Sequence, residues 1–234
     1  MQGSDIQQRM STLARDLRSE QTPGDTLQRI VDYARTSVHA CEAAGMSLTA
    51  LRSQSILTSA ATSELPTRAN ELQQELGEGP CMDAAWKHRV VSAPDLSRDE
   101  RWPLWAPRAV EELGVHSMLC LQLFTHEGRL GALNLFSSRP QAFDHDDVDE
   151  ASALAAHAAV ALAAAQQLQG LETALHNRTV IGTAIGVTMT RYGLTQTQAL
   201  GVLKRLSSHE NRKLAELAAE VVAQADDENT QHRP

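Results

Sequence analysis

The feature that most constrains this chain is one long stretch of helical spacing, which continues without a proline from Asp144 to about Arg191. Asp144 can serve as the N-cap, and Asp147 in the first turn suits the positive end of the helix dipole. This helix is long enough to leave one domain and enter another. The sequence therefore predicts a domain on each side of it, which agrees with the length of 234 residues.

The composition and the N-terminus argue against a membrane-spanning protein and against a secreted one. No apolar run reaches the length of a bilayer span, since the alanine-rich residues 151–165 include a serine and a histidine. The N-terminus has no basic region followed by an apolar segment, so we expect a cytoplasmic protein. The three cysteines, Cys41, Cys81 and Cys120, are widely spaced, so neither a disulfide framework nor a zinc site is indicated.

The part before the long helix mixes strands and helices. Residues 5–20 have helical spacing, and Asp25 can cap a second helix with a regular apolar face. Strands are predicted at residues 46–51, 55–61, 90–92, 117–125 and 130–137, and further helices at 69–76, 80–87 and 104–113. Strands in hairpins with helices between them favour an antiparallel α+β domain over a doubly wound sheet.

Three leucines in the long helix have the spacing of a helix seam. Leu168, Leu171 and Leu175 lie at positions i, i+3 and i+7, and no other local apolar surface is available to cover them. The alternative is a helix packed on its own sheet, which is the better interpretation for residues 151–163. From Leu168 onward the spacing predicts a seam between two chains, and thus a homodimer.

Two further helices are predicted after the long one. Thr195 and Gln198 form a T-x-x-Q capping box, and Ser207 and Glu210 an S-x-x-E box. The chain is acidic overall, with a net charge of −8, but residues 191–213 hold five basic residues against one acidic residue. A small three-helix module with a cationic surface is therefore expected, followed by a polar tail at residues 226–234.

Residues 178–222 resemble an ANTAR domain, the three-helix RNA-binding module of transcription antiterminators. The resemblance is carried by A-x-G-x-x-M at residues 184–189, A-x-x-x-L at 199–203 and S-x-x-x-N-x-x-L-x-x-x-A at 207–218. Many members have lysine where this chain has Ile185. The resemblance implies that RNA hairpin loops, which display unpaired bases and dense phosphate, are the ligand. The expected RNA-binding residues are Arg178, Arg191, Tyr192, Lys204, Arg205, Ser207, Asn211, Arg212 and Lys213.

Tyr192 has two interpretations, since it can stack on a base or cap the small apolar core. The cationic residues likewise either contact RNA or form a solvated helix face, and the ANTAR resemblance favours RNA.

Residues 25–165 resemble a GAF domain, the α+β sensor fold that often precedes ANTAR in actinobacterial-type regulators. The resemblance is carried by GEGPC at residues 77–81, DL at 95–96, RWP at 101–103, GVxS at 114–117, LGALNL at 130–135 and AF at 142–143. GAF domains hold diverse ligands or none, so the sequence assigns no cofactor. Candidate pocket residues are Cys81, at a helix start that would stabilise a thiolate, and Trp86 and Trp102. Each has an alternative role as a core residue.

These patterns predict five segments: an N-terminal helical segment at 1–24, a GAF sensor at 25–165, a connecting helix at 166–177, an ANTAR domain at 178–225 and a disordered tail at 226–234. We expect a non-enzymatic, homodimeric antiterminator that binds tandem hairpins in nascent transcripts, without a metal site. A DNA-binding regulator is the alternative, because short helices with a basic patch also describe helix-turn-helix modules. A third hypothesis is an enzyme of the free-methionine-sulfoxide reductase type, using Cys81 and Cys120.

Overall fold

A computed structural model describes residues 12, 15, 22–50, 55–126 and 128–231 of the chain. The chain divides into two units, Met1–Gln167 and Leu168–Pro234. The predicted helix at residues 5–20 lies outside the described part, apart from residues 12 and 15.

The first unit is built on a five-stranded antiparallel sheet with strand order β2-β1-β5-β4-β3. The strands are β1 Ala43–Ala50, β2 Ser55–Ala61, β3 Val90–Ala93, β4 Ser117–Thr125 and β5 Gly128–Ser137. This confirms the predicted α+β class. The long hairpin of β4 and β5 brings the last strand into the middle of the sheet, where β5 pairs with β1 through contacts such as Met46 opposite Leu133.

Helices cover both faces of this sheet. They are α1 Pro23–Ser37, α2 Glu64–Leu76, α3 Pro80–Trp86, α4 Trp105–Leu113 and the first part of α5 His145–Tyr192, with a short 3₁₀ turn at Leu96–Arg98. The prediction that Asp25 caps the first of these helices was wrong. Thr22 is the N-cap, its hydroxyl accepting a hydrogen bond from the Asp25 backbone N–H at 3.1 Å. Pro23 fits the first helical position because its missing N–H needs no partner there.

Alternating side chains of β5 divide the interior into two cores. Leu133 and Leu135 face α1 and the start of α5, where Leu154 and Leu162 are buried. Ala132 and Phe136 belong to the other core, against α2, α3 and α4. The second face carries the candidate sensor residues.

The start of α5 follows its sequence signal. Asp147 N–H donates to the Asp144 carboxylate at 2.9 Å, and the Asp144 N–H donates back to Asp147 at 3.1 Å. Among the described residues, α5 is the one helix long and apolar enough to cross a membrane, with mean hydropathy 1.3 in its most apolar window. This corrects the expectation that no segment reaches that length. Soluble core helices pass the same test, and here Leu154, Ala158 and Leu162 are buried under the sheet.

The second unit consists of the end of α5 and two helices, α6 Gln196–Glu210 and α7 Leu214–Gln231. Its small core is formed mainly by alanine and leucine: Ala184, Ile185, Ala199, Leu203, Leu217 and Ala218. The Thr195 capping box is confirmed, since the Thr195 hydroxyl accepts from Gln198 N–H and the Gln198 side chain accepts from Thr195 N–H.

The second predicted capping box was wrong. Ser207 and Glu210 lie in the last turn of α6, which ends at Asn211 in the left-handed conformation with φ 52°. Ser207 donates a hydrogen bond to the Arg212 carbonyl at 2.6 Å. It therefore closes the turn after α6 instead of opening α7, and α7 continues to Gln231, six residues past the predicted end of the module at Ala225.

Candidate nucleic-acid interface and sensor site

An apolar groove lies within the second unit, between the end of α5, α6 and α7. Its volume is about 450 Å³, which lies in the range typical of small-molecule sites, roughly 300–1,000 Å³. The apolar walls are Val187, Leu194, Val202, Leu203, Leu206 and Val221. Leu206 is 42% exposed at its edge. The groove is therefore a concave apolar surface that meets solvent.

Polar and aromatic groups frame this groove. Arg191 and Tyr192 line it from the last turn of α5, and Gln224 lines it from α7. Tyr192 is 65% exposed, so it does not cap the small core, which was the alternative to stacking. A second depression of about 330 Å³ shares Leu194 and Val202 with the groove and is lined by Arg205. Cations thus lie beside an aromatic ring and an apolar surface.

A separate corner forms at the turn from α6 to α7. Ser207, Asn211 and Arg212 meet there, because the Arg212 N–H donates to the Ser207 carbonyl at 3.0 Å and Asn211 is the C-cap of α6. Arg212 and Lys213 were expected in the first turn of α7. They instead precede the helix, which begins at Leu214.

Arg212 is held by two carboxylates of its own chain. Its guanidinium makes a bidentate pair with Glu220, one contact being 3.0 Å, and reaches Glu210 at 3.3 Å. The hydrogen bonds to Glu220 raise the pKa of Arg212 above its ordinary value and hold the pKa of Glu220 below its own. At this corner the two negative charges of Glu210 and Glu220 offset the positive charges of Arg212 and Lys213, so it is less cationic than the sequence suggested. Glu220, one turn along α7 from Glu216, is the residue that sequence reasoning missed.

Three other predicted cations, Arg178, Lys204 and Lys213, are not among the residues that line the two depressions. Lys204, Arg205 and Lys213 are exposed and make no ion pair with another described residue. Arg178 lies thirteen residues before Arg191 on the same helix, about 20 Å along its axis. Ile185, where many ANTAR domains have lysine, is buried in the core of the unit.

The three predicted seam leucines are exposed. Leu168 is 63% exposed, Leu171 56% and Leu175 64%, all on one face of α5. Exposed large aliphatic side chains at this spacing are typical of an interface between helices.

The candidate sensor residues lie over the second face of the sheet. Cys81 and Trp102 are buried, and Trp86 is half-buried. Trp102 donates its indole N–H to Asp83 at 3.0 Å, lies edge-on to Trp105 and is covered by the Arg101 guanidinium at 4.3 Å. Their contact with a ligand stays a prediction.

Cys81 and Cys120, the thiols of this face, are buried and hydrogen-bonded. The Cys81 sulfur accepts a hydrogen bond from Gln73 at 3.0 Å, and the Gln73 carbonyl oxygen accepts from the Cys81 N–H at 2.8 Å. Burial, together with a hydrogen bond to Cys81, raises the pKa of the Cys120 thiol well above its ordinary value. Burial also raises the pKa of Cys41 to about 12. The thiolate forms of Cys120, on this face, and of Cys41, in the other core, are therefore disfavoured at neutral pH.

Two buried amides on the same face were not anticipated from the sequence. Asn134 donates to the Ser47 hydroxyl at 3.1 Å, and Asn70 donates to the Ile56 carbonyl at 3.2 Å. Among the described residues, the carbonyl oxygen of each side chain has no hydrogen-bond partner. Asn70 is on α2 and Asn134 on β5, a placement that only the fold reveals. In the described part of the chain, no cluster of three or more His, Cys, Asp or Glu could hold a metal ion.

Comparison with known proteins supports both domains. The GAF domain family matches residues 20–163, and the ANTAR domain family matches residues 169–222. An ANTAR domain implies RNA binding and transcription antitermination, and ANTAR regulators are non-enzymatic. No curated relative matches the chain in sequence.

Solved structures resemble the chain in fold. The GAF domain of an Acinetobacter phosphoenolpyruvate-protein phosphotransferase has a TM-score of 0.55 at 17% identity, covering 68% of this chain and 93% of that one. Free methionine-R-sulfoxide reductase from Neisseria meningitidis, in complex with its substrate, has a TM-score of 0.57 at 17% identity. The match covers 72% of this chain and 94% of the reductase. The phytochrome photosensory core module of Stigmatella aurantiaca has a TM-score of 0.57 at 10% identity. The match covers 87% of this chain and 45% of the phytochrome module. The family match covers more than half of the chain, which therefore belongs to the GAF domain family and carries an ANTAR domain after its GAF domain.

Proposed function

We propose that this protein is an antiterminator that binds tandem hairpin loops in nascent transcripts under the control of a signal sensed by its GAF domain. The observation that carries the proposal is the grouping of Arg191, Tyr192 and Arg205 around an apolar groove in the unit matched by ANTAR. Clustered cations with a planar ring suit RNA loops, where phosphates are dense and bases are unpaired.

The proposed RNA-binding surface extends over the exposed side of the second unit. Lys204 and Lys213 would contact phosphate, and Asn211 and Ser207 would contribute polar groups at the turn after α6. Arg212 reaches RNA only by exchanging Glu220 for a phosphate, which makes it a conditional contact. Arg178 would contact RNA further along α5, outside the groove.

Dimerisation would give the protein two RNA-binding units. Leu168, Leu171 and Leu175 would pack against the same residues of a second copy, which removes three exposed leucines from water. Each unit would then hold one hairpin of a tandem pair. RNA held as hairpins is unavailable to the terminator stem, so polymerase reads on.

The GAF domain would bind a small molecule on the sheet face that carries Cys81, Trp86 and Trp102. The buried carbonyl oxygens of Asn70 and Asn134 favour a ligand with hydrogen-bond donors. Ligand binding would shift the packing of the paired α5 helices between two arrangements.

We place the protein in the cytoplasm, where it meets nascent transcripts, and assign it no enzymatic activity. The raised pKa of the Cys120 thiol disfavours the reductase hypothesis. A DNA-binding role would use the same cationic surface.

The test compares a labelled hairpin pool with duplex DNA of matched length. Each hairpin has a fixed stem and a randomised loop, and binding is measured by fluorescence anisotropy over a series of salt concentrations. We expect hairpins to be retained and the double variant K204Q/R205Q to bind more weakly, with a salt slope lower by about 1.4 to 1.8. The control R68Q removes one exposed cation of the sensor unit, Met1–Gln167, and should leave the salt slope unchanged. Preference for the duplex would establish the DNA-binding alternative, and an unchanged slope in K204Q/R205Q would remove the assignment of these two residues.

A further inference from the structure

We infer that the apolar groove between the end of α5, α6 and α7 is a receptor for one unpaired nucleobase of the hairpin loop, with the adjacent depression holding the neighbouring phosphate. The inference rests on the proposed RNA binding and adds the place where a base is held. The two depressions share Leu194 and Val202, so one ligand can occupy both.

The groove offers a base a face to stack on. The Tyr192 hydroxyl makes no hydrogen bond with another described residue, and the residue is 65% exposed at the rim. Val202 and Leu206 form an apolar surface on α6, and Leu206 is 42% exposed. A flat, partly apolar ring that stacks on an aromatic side chain and covers aliphatic groups fits this surface, and every nucleobase has such a face.

The polar groups of the groove fit the edge of a base. The Thr188 hydroxyl already donates to the Ala184 carbonyl at 2.8 Å, so it has only acceptor capacity left. The Gln224 side chain is exposed, makes no hydrogen bond with another described residue, and carries both a donor and an acceptor. An amide with both functions can pair with any base edge that presents a donor and an acceptor.

Charge selects a nucleotide over an apolar peptide or a second copy. Arg205 lines the second depression with its guanidinium beside Gly201, where it makes no ion pair with another described residue. Arg191 lines the groove itself, and Lys204 is exposed on the same helix as Arg205. A second copy of this chain has a net charge of −8 but offers no particular anion for the second depression. In an RNA loop, by contrast, a phosphate lies next to every base.

The experiment uses the full-length protein and one hairpin enriched from the randomised-loop pool. Each loop nucleotide is replaced in turn by an abasic one, which keeps the phosphates and removes the base. We expect one abasic position to weaken binding about tenfold in the parent protein. The same loss should appear for Y192L on the intact hairpin, whereas Y192F should bind as the parent does, since it keeps the ring.

Matched variants separate the base from the charge. The Y192L variant should have the same salt slope as the parent. It should bind the intact hairpin and the hairpin with the sensitive abasic position equally well. The control F124L removes a half-exposed aromatic ring of the sensor unit and should bind like the parent. Thermal unfolding of each variant checks the fold, and a photoreactive base at the sensitive loop position should crosslink to Tyr192 or to Leu206.

The outcomes distinguish the two proposals. If no abasic position matters and Y192L binds like the parent while K204Q/R205Q loses affinity, then RNA binding stands and the base receptor is refuted. If Y192L changes the sedimentation of the protein and not its RNA affinity, a second copy occupies the groove and the inference is likewise overturned. Failure of the parent to bind any hairpin would refute the proposed function itself.

Discussion

The pair between Arg212 and Glu220 yields the sharpest prediction about affinity. Arg212 is exposed enough to reach RNA but is bidentate to Glu220 and also contacts Glu210. Substitution E220Q removes one negative charge and leaves Glu210, at 3.3 Å, as the one charged partner of Arg212 among the described residues. We therefore expect E220Q to bind hairpin RNA more tightly than the parent. The reason is that Arg212 no longer has to exchange a carboxylate for a phosphate.

The magnitude follows from one additional phosphate contact. Such a contact steepens the dependence of log affinity on log salt by about 0.7 to 0.9. Over a fourfold rise in salt, from about 50 to 200 mM, the advantage of E220Q should shrink by roughly threefold. Hydrogen bonds to Arg212 hold the pKa of Glu220 below its ordinary value, so the carboxylate keeps Arg212 at neutral pH. The pair is lost only as pH falls through that lowered pKa.

The assay is anisotropy of a labelled hairpin at a series of salt concentrations, with E216Q as the matched control. Glu216 lies on the same helix, is exposed and forms no ion pair with another described residue, so its loss changes the net charge equally. R212Q and the double variant R212Q/E220Q complete the cycle, and the gain from E220Q should vanish when Arg212 is absent. Equal gains in E216Q and E220Q, or a gain that persists in R212Q/E220Q, would show that Arg212 is not the group released.

Three further sets of substitutions test other parts of the chain. L168E with L175E should yield monomers by sedimentation, because charge at the exposed leucines is incompatible with a helix seam; an intact dimer would refute the seam. N211G should unfold at the parent's temperature or slightly above it, whereas N211A should lose about 1 kcal/mol, since Asn211 is left-handed; equal stabilities of the two variants would refute the strain argument. E78A should destabilise the sensor unit by about 1–3 kcal/mol, as the Glu78 carboxylate accepts from Leu104 N–H at 2.7 Å and Trp105 N–H at 2.8 Å; unchanged thermal unfolding would show that this cap is dispensable.

Much of the sensor fold was predictable from the sequence pattern, because β4 and β5 are covered on both faces and so are mainly apolar runs. The hairpin of residues 117–125 and 130–137 appears as β4 and β5 with nearly those bounds. Helix starts were less predictable, since several polar residues compete for one cap. Thr22 outcompetes Asp25 because Pro23 fixes a helical φ at the first position, which moves the start of α1 forward.

The turn after α6 shows where local patterns mislead. Ser207 and Glu210 have the spacing of an N-terminal box, but α6, whose apolar positions include Leu203 and Leu206, continues through the same residues to Glu210. Asn211, which tolerates positive φ, is a good place to end that helix. Two local signals thus overlap at the same residues, and in the structure the end of α6 takes precedence.

Charge counting along the sequence overestimated the positive charge at the turn after α6 for a related reason. The window of residues 191–213 appears strongly cationic because it stops before Glu220, which the first turns of α7 bring to Arg212. Pairing across a turn is set by tertiary structure and has no signature in a local window. The groove was hidden in the same way, because its lining comes from three helices.

The exposed leucines of α5 lie between two stretches of that helix that packing already fixes. Leu154 and Leu162 are buried under the sheet, and Ala184 belongs to the core of the RNA-binding unit. Rotating either stretch would cost the free energy of its buried contacts, whereas Leu168 and Leu175 have no core to lose in this chain. In the proposed dimer, the paired α5 helices can therefore pack in two arrangements around these leucines at the smallest difference in free energy. A weakly binding GAF ligand could then select between them, since a ligand shifts an equilibrium by no more than its differential affinity.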